Sequence, residues 1–167
     1  MALIVSSLDK SKHDRNGFDC GEPALNDFLR TRAAKHQTIG VSRTFVLAED
    51  LRPAHIIGFY TLSNCQIARS DISPEQARKL PNHPIPAILL ARLGVSREEQ
   101  KQGHGETLLM DAIRRCALVS QQTGVYALVV DAKHLQAKQF YEKFGFTEVS
   151  TNTMTLYLPM ATAIQVL

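Results

Sequence analysis

Residues 85–95 constrain this chain more than any other stretch. They form a near-continuous apolar run, broken only by Arg92, of the kind that makes a central strand buried on both faces. The run ends in Leu93, Gly94 and Val95, and a polar turn follows that contains Gln100, Lys101, Gln102, Gly103, His104 and Gly105. Beyond it Leu108, Leu109, Ala112, Ile113, Cys116 and Val119 recur at three- and four-residue spacing, which predicts a helix over 105–121 ended by Gly124. Gly103 and Gly105, lacking a Cβ, let the main chain turn sharply and approach a ligand closely. The first N–H groups of the helix have no intrahelical acceptor and face the turn, which favours an anion such as phosphate. An ordinary glycine-containing loop reads the same way locally, so the remaining elements must decide.

Those elements describe one α/β domain over residues 1–167, with a mixed central β-sheet flanked by helices. A strand over 2–7 precedes a helix that opens at Pro23, with Leu25, Phe28, Leu29 and Ala33 as its apolar face. Strands over 43–49 and 56–67 form an antiparallel hairpin. Ser73, Pro74, Glu75 and Gln76 form a capping-box pattern that starts a short helix ending before Pro81, and Pro81, Pro84 and Pro86 make a stiff extended connection. A second buried strand is predicted over 125–131, a short helix over 134–144 ended by Gly145, and a final pair of strands over 146–149 and 154–160.

Composition removes several function classes. The three cysteines, Cys20, Cys65 and Cys116, are far apart and contain no Cys-x-x-Cys, so idle thiols in a reducing cytoplasm fit better than a disulfide framework. The six histidines show no metal-ligand spacing, so no metal is expected. No apolar run approaches the roughly 20 residues of a membrane span. The net charge of +3 has no basic tail, so any contact with nucleic acid must come from a folded patch. Between Phe28 and Ala48 there is no acidic residue, while Arg30, Arg32, Lys35 and Arg43 are all present. Four charges on a helix face fit a solvated surface as well as they fit a nucleic-acid patch.

Three features coincide at the C-terminal half. The strand ending at Val95 feeds Gln100-Lys101-Gln102-Gly103-His104-Gly105 and a long helix; a second strand ends at Asp131; and the next helix carries Ala137-x-x-Phe140-Tyr141-x-x-Phe144-Gly145-Phe146. This combination resembles the GCN5-related N-acetyltransferase (GNAT) family, whose hallmark is Gln/Arg-x-x-Gly-x-Gly/Ala after the fourth strand. The N-terminal pattern Phe18-x-Cys20-Gly21-x-x-x-Leu25-Asn26-x-Phe28-Leu29, with the strands at 42–47 and 58–63, resembles more narrowly the acetyltransferase toxins of bacterial type II toxin–antitoxin pairs. The likeness runs over nearly the whole chain. One departure is visible: the position after Gln100 is often glycine in this family, and here it is Lys101.

The resemblance implies a sheet splayed between its fourth and fifth strands and acetyl-CoA as co-substrate. It implies that the main chain of Gln100, Lys101, Gln102, Gly103, His104 and Gly105 holds the pyrophosphate. Leu93, Gly94 and Val95 would bind the pantetheine arm, with a main-chain N–H near Leu93 polarising the thioester carbonyl. Asp131 and Ala137 belong to the same donor-binding set. Tyr141 becomes the general acid, because a phenol with a pKa of about 10 can protonate a thiolate of about 8.5 as it leaves. Phe140 reads as a packing residue, and Tyr60, Tyr126 and Tyr157 as sheet residues. Glu98, Glu99 and Glu106 are helix-start charges rather than bases, and Glu142 and Glu148 are solvated.

With no general base in view, the acceptor is better served by an α-amine, pKa about 7.7–8.0, than by a lysine at about 10.4. The toxin resemblance implies the α-amine of aminoacyl-tRNA, a consequent block of translation, a cognate antitoxin of ribbon-helix-helix type and a homodimer. Arg30, Arg32, Lys35, Arg78, Lys79 and Arg92 are then candidates for contact with the tRNA backbone. Arg92, inside an apolar strand, reads equally well as an edge or bulge residue that reaches solvent. A small-molecule or protein acetyltransferase on the same scaffold, and a non-catalytic module that binds antitoxin or nucleic acid, remain open.

Overall fold

The strand and helix periods of the sequence resolve into seven strands and six helices in the computed structural model, which describes residues 2–167. In chain order these are β1 (Leu3–Ser7), α1 (Pro23–Thr31), α2 (Ala33–Ile39), β2 (Arg43–Glu49), β3 (Gly58–Ile67), α3 (Pro74–Ala77) and β4 (Ile85–Val95). They continue as α4 (His104–Ser120), β5 (Ala127–Asp131), α5 (Leu135–Lys143), β6 (Thr147–Val149), β7 (Asn152–Pro159) and α6 (Met160–Val166). The sheet order is β1-β2-β3-β4-β5-β7-β6. Main-chain proximity divides the chain into two compact units, Met1–Ser63 with Ala91–Ala112, and Asn64–Leu90 with Ile113–Leu167.

The first unit carries an antiparallel meander. β1 pairs with β2 through Val5↔Leu47, and β2 pairs with β3 through Phe45↔Tyr60. Thr44 and Thr61 face each other across that second ladder and join their buried hydroxyls at 2.8 Å. Pro23 opens α1 at a position where no N–H is needed. Leu25, Phe28 and Leu29 then pack with Phe18, Val46, Ile56 and Phe59, the Phe18 ring meeting Phe59 edge-on at 5.4 Å. The expected helix is interrupted. Arg32 leaves the helical region at φ −126°, and the chain restarts as α2, closed by Gly40 at φ +84°. Ala33 is nevertheless buried as the pattern predicted.

In the second unit β4 pairs in parallel with β5 from Ala87↔Ala127 to Leu90↔Val130, and β7 lies between β5 and β6, antiparallel to both. Ile67, Ile72, Ile85, Ala87, Ala127, Val129, Val149 and Tyr157 form its core. Several expectations change here. Ser73 sits at the N-cap of the single-turn α3 but makes no side-chain cap. Its N–H donates instead to the Tyr157 hydroxyl at 3.3 Å. Gln76, the would-be reciprocal partner, is occupied: its Oε1 accepts from the hydroxyls of Tyr157 at 3.0 Å and Tyr126 at 3.3 Å. Pro86 lies inside β4 rather than in the connection before it, and its carbonyl accepts the Tyr126 N–H at 2.9 Å. α6 follows Pro159 directly and carries no cap or turn signal that would have announced it.

α4 spans both groups of residues. Leu108, Leu109, Ala112, Ile113 and Cys116 are fully buried, as their spacing requires, but Val119 is 37% exposed because the last turn leaves the core. His134, expected as the first residue of α5, is its cap: Nδ1 accepts the Ala137 N–H at 3.1 Å. Among the described residues no helix is long and apolar enough to cross a membrane, and no cluster of three or more His, Cys, Asp or Glu could hold a metal ion.

The thiols are insulated. Burial pushes Cys116 up to about 12, burial together with Asp131 pushes Cys65 up to about 11, and burial raises Cys20 as well. A disulfide-exchange reagent at about pH 8 should therefore react slowly with the native protein and label all three cysteines once denaturant is added. Rapid native labelling at Cys116 would contradict the packing of α4.

Candidate active site

β4 delivers the chain to the glycine turn through a close approach of two backbones. A Cβ added to Gly58 would lie 2.8 Å from the Gly94 carbonyl oxygen and 2.8 Å from Leu108 Cδ1, so only glycine fits there. Leu93 and Val95 are half-buried, and Gly94 is buried. The next residues are held at several points. Ser96 N–H donates to the Ile57 carbonyl at 2.8 Å, and Arg97 N–H to the Asp19 carbonyl at 2.8 Å. A single 3₁₀ turn, Arg97–Glu99, follows. Glu99 does not act as a free helix-start charge; its Oε1 meets His55 Nε2 at 2.6 Å.

The Gln100 side chain is also committed. Its Nε2 donates to the carbonyls of Val95 at 2.9 Å and Cys20 at 3.0 Å. With the Gln100 amide spent, the main chain of 100–105 and the exposed Lys101 side chain remain available. Lys101 adopts φ +65° and Gly103 φ +84°, both in the left-handed region. Thr107 N–H and hydroxyl each donate to the Gly103 carbonyl at 3.1 Å, which starts the hydrogen bonding of α4. The N–H groups ahead of Thr107 have no acceptor within the helix. Left-handed turns followed by a helix start give a concave set of N–H donors with the positive end of the helix dipole behind it. Gln100, Lys101, Gln102 and Gly103 are exposed, and His104 and Gly105 half-exposed. This donor set fits a pyrophosphate.

The second unit holds the other expected site residues. Asp131 ends β5, exposed, with Oδ1 accepting from the Thr155 hydroxyl at 2.7 Å. Ala137 is half-buried, and its N–H is spent on His134. Tyr141 is 9% exposed and packs edge-on against Phe140 at 5.3 Å and Phe146 at 5.5 Å. Phe140 also meets Phe144 at 5.2 Å, which bears out its reading as a packing residue. Tyr60 and Tyr157 lie in strands, while Tyr126 just precedes β5. Glu142 is exposed, but Glu148 is not simply solvated, since Lys138 Nζ contacts its Oε2 at 2.5 Å.

The candidate cations differ in what they have left to offer. Arg30 pairs with Asp27. Arg32 and Arg92 share one aromatic ring: their guanidinium carbons lie 5.4 Å and 3.6 Å from the centroid of buried Phe28. Arg92 is half-buried on a π-face rather than simply reaching solvent, and burial, with Arg32 nearby, lowers its pKa. Lys35 lines an open concavity of about 360 Å³ with Lys10 and Arg15, two cations that the sequence reading did not single out. Arg78 and Lys79 belong to the second unit, where they line a concavity of about 660 Å³ with Gln76, Tyr126 and Thr162. His55 and Asp19 were also missed, because their partners at 97 and 99 are remote in sequence and no spacing rule connects them.

The left-handed conformation of Lys101 is testable without any ligand. Lys101→Val should lower the unfolding free energy by about 1–2 kcal/mol, since a β-branched residue is strained at φ +65°. Lys101→Gly should show no such loss. Urea denaturation of the two variants separates the outcomes.

A family model described as "Acetyltransferase (GNAT) domain" matches residues 40–148. The tRNA-acetylating toxin of Mycobacterium tuberculosis is 41% identical over 150 residues, covering 90% of this chain and 88% of that protein. A crystal structure of a tyrosine-to-phenylalanine mutant of KacT superposes with a TM-score of 0.93 at 31% identity, covering 100% of both chains. AtaT complexed with acetyl-methionyl-tRNAfMet gives 0.92 at 30% identity over 99% of both chains. An AtaT mutant bound to the C-terminus of the antitoxin AtaR gives 0.85 at 28% identity, over 98% of this chain and 97% of that one. With the domain model spanning β2, β3, the left-handed turn, α4 and α5, this chain belongs to the GNAT acetyltransferase family.

Proposed function

We propose that this protein is a toxin that transfers an acetyl group from acetyl-CoA to the α-amine of aminoacyl-tRNA and so blocks translation. The observation that carries the reading is the main-chain cradle at 100–105, in a chain similar over its whole length to AtaT complexed with acetyl-methionyl-tRNAfMet. The chain acts as one acetyltransferase domain over residues 1–167, in the cytoplasm.

Acetyl-CoA supplies an acyl group activated as a thioester, with a thiol as leaving group. The main chain of 100–105 binds the pyrophosphate, and the Lys101 ammonium adds charge attraction. Leu93, Gly94 and Val95 hold the pantetheine arm through main-chain groups, and the N–H near Leu93 polarises the carbonyl. Asp131 and Ala137 complete the donor-binding set. Tyr141 supplies the proton taken up by the thiolate as the C–S bond breaks and the new C–N bond forms, and the proton shed by the acetylated nitrogen passes through water to restore the phenol. No side chain is needed as a strong base, because an α-amine with a pKa of about 7.7–8.0 is partly neutral at physiological pH.

Arg30, Arg32, Lys35, Arg78, Lys79 and Arg92 contact the tRNA backbone, where affinity is largely electrostatic. Arg92 does so already partly desolvated and oriented by Phe28, with the exposed Arg32 beside it on the same ring. A cognate antitoxin of ribbon-helix-helix type neutralises the enzyme, and the active species is a homodimer. That an AtaT mutant is bound to the C-terminus of an antitoxin supports the first of these partners.

Tyr141→Phe keeps the ring packing and removes the proton donor. Acetylation of charged tRNA should fall by about 100-fold or more, and growth arrest on expression should disappear. A parental rate in this variant would refute the role given to Tyr141. Labelled acetyl-CoA that modified polyamines or peptides while charged tRNA stayed unlabelled would assign a different acceptor.

A further inference from the structure

The pattern Phe18-x-Cys20-Gly21-x-x-x-Leu25-Asn26 has no part in the chemistry described above, and its packing gives it one. Phe18 and Leu25 are buried in the core of the first unit and fix the two ends of the segment. Between them the chain makes a tight polar turn. Asp19 Oδ1 accepts the Gly21 N–H at 2.9 Å and the Asn26 side-chain amide at 2.9 Å, while Asn26 Oδ1 accepts the Cys20 N–H at 2.9 Å. Gly21 stands at φ +89°, and a Cβ there would meet Arg97 Nε at 3.1 Å. The buried Cys20 Sγ would be 3.4 Å from a Cβ placed on Gly94. Each residue of the pattern therefore serves one local geometry.

That geometry leaves two main-chain carbonyls directed at the donor loop. The Asp19 carbonyl receives the Arg97 N–H at 2.8 Å, and the Cys20 carbonyl receives Gln100 Nε2 at 3.0 Å. The Asp19 carboxylate adds an ion pair to Arg97 at 3.7 Å. Gln100 itself is tied back to Val95, so the segment closes a ring between the end of β4 and the start of the left-handed turn. We infer that residues 18–26 are a positioning bracket for the pyrophosphate loop, in which Asp19 and Asn26 hold the turn and Gln100 transmits it to Lys101 and Gly103. The inference rests on the reading of 100–105 as the pyrophosphate site. Asp19 is exposed and needs no contact with donor or acceptor to act in this way. Its carboxyl is held below the usual range, first by the Gly21 N–H, then by Asn26 and Arg97, so the bracket is intact throughout the neutral range.

The experiment compares two donors, acetyl-CoA and S-acetylpantetheine, which has the same thioester and no pyrophosphate. The purified protein should prefer acetyl-CoA strongly in kcat/KM. Asp19→Ala and, independently, Gln100→Leu should raise KM for acetyl-CoA by about tenfold, change kcat little, and reduce the preference for acetyl-CoA by the same factor. Asp19→Asn, which keeps an acceptor for Gly21 and Asn26 but loses the charge, should recover most of the preference. Variants that retain the parental donor preference would overturn the bracket and leave the pyrophosphate reading intact. Variants that lose activity equally with both donors would also overturn it, since that is the signature of general destabilisation. A parental protein with no preference for acetyl-CoA would refute the pyrophosphate reading and the bracket together.

Discussion

Main-chain amides can grip a phosphate only if nothing in the protein has already claimed them, and that requirement governs the loop after β4. A backbone with unclaimed N–H groups lacks the ladder that normally fixes its shape. The order has to be supplied by side chains and by carbonyls from elsewhere in the chain. Gln100 spends both hydrogens of its amide on Val95 and Cys20, Glu99 is held by His55, and Ser96 is bonded to Ile57. The side chains of Gln100 and Glu99, which could have competed for a ligand, have been turned into braces. The loop is thus stiff and still has its N–H donors open, the condition under which a helix N-terminus binds an anion without reorganising first.

The cations follow a related logic. An arginine that faces water loses side-chain entropy when it meets a phosphate, and one paired with a carboxylate must give up its partner. Arg92 does neither. The Phe28 face orients its guanidinium 3.6 Å from the ring centroid and strips part of its water, with Arg32 on the same ring. Two like charges on one buried aromatic, with no acidic residue between Phe28 and Ala48, form a pair whose mutual repulsion an incoming phosphate would relieve. Arg30, already joined to Asp27, has less to gain.

The parts of the fold that could be read from the chain are those with strong local periods. β4 occupies the residues its apolar run marked, the hairpin pairs antiparallel, and Leu108, Leu109, Ala112, Ile113 and Cys116 face inward. What could not be read was settled by residues far away. Ser73 is satisfied by Tyr157 and Gln76 is drawn to two tyrosine hydroxyls, so a capping box correct in sequence is never formed. The stacking of Arg92 on Phe28 and the bond from Gln100 to Cys20 likewise join positions that no window of the sequence contains together. At the site, the glycine turn was plain, but the side chains that brace it were not, because their partners come from residues 19–20 and 55.

Lys101 shows how the two kinds of information meet. A lysine where the family pattern often has glycine suggests a changed backbone, yet Lys101 keeps φ +65°, the conformation that glycine would adopt without strain. Holding an L-residue there costs about 1–2 kcal/mol, which the braces on either side must supply. A side chain that brings only strain is a poor exchange for glycine, whereas, on the proposed reading of 100–105 as the pyrophosphate site, an exposed ammonium contributes attraction only when the ligand is present. The strain is borne by the free protein and the gain appears in the complex. On that reading the loop sustains the division because its neighbours at 95–100 are anchored independently of Lys101.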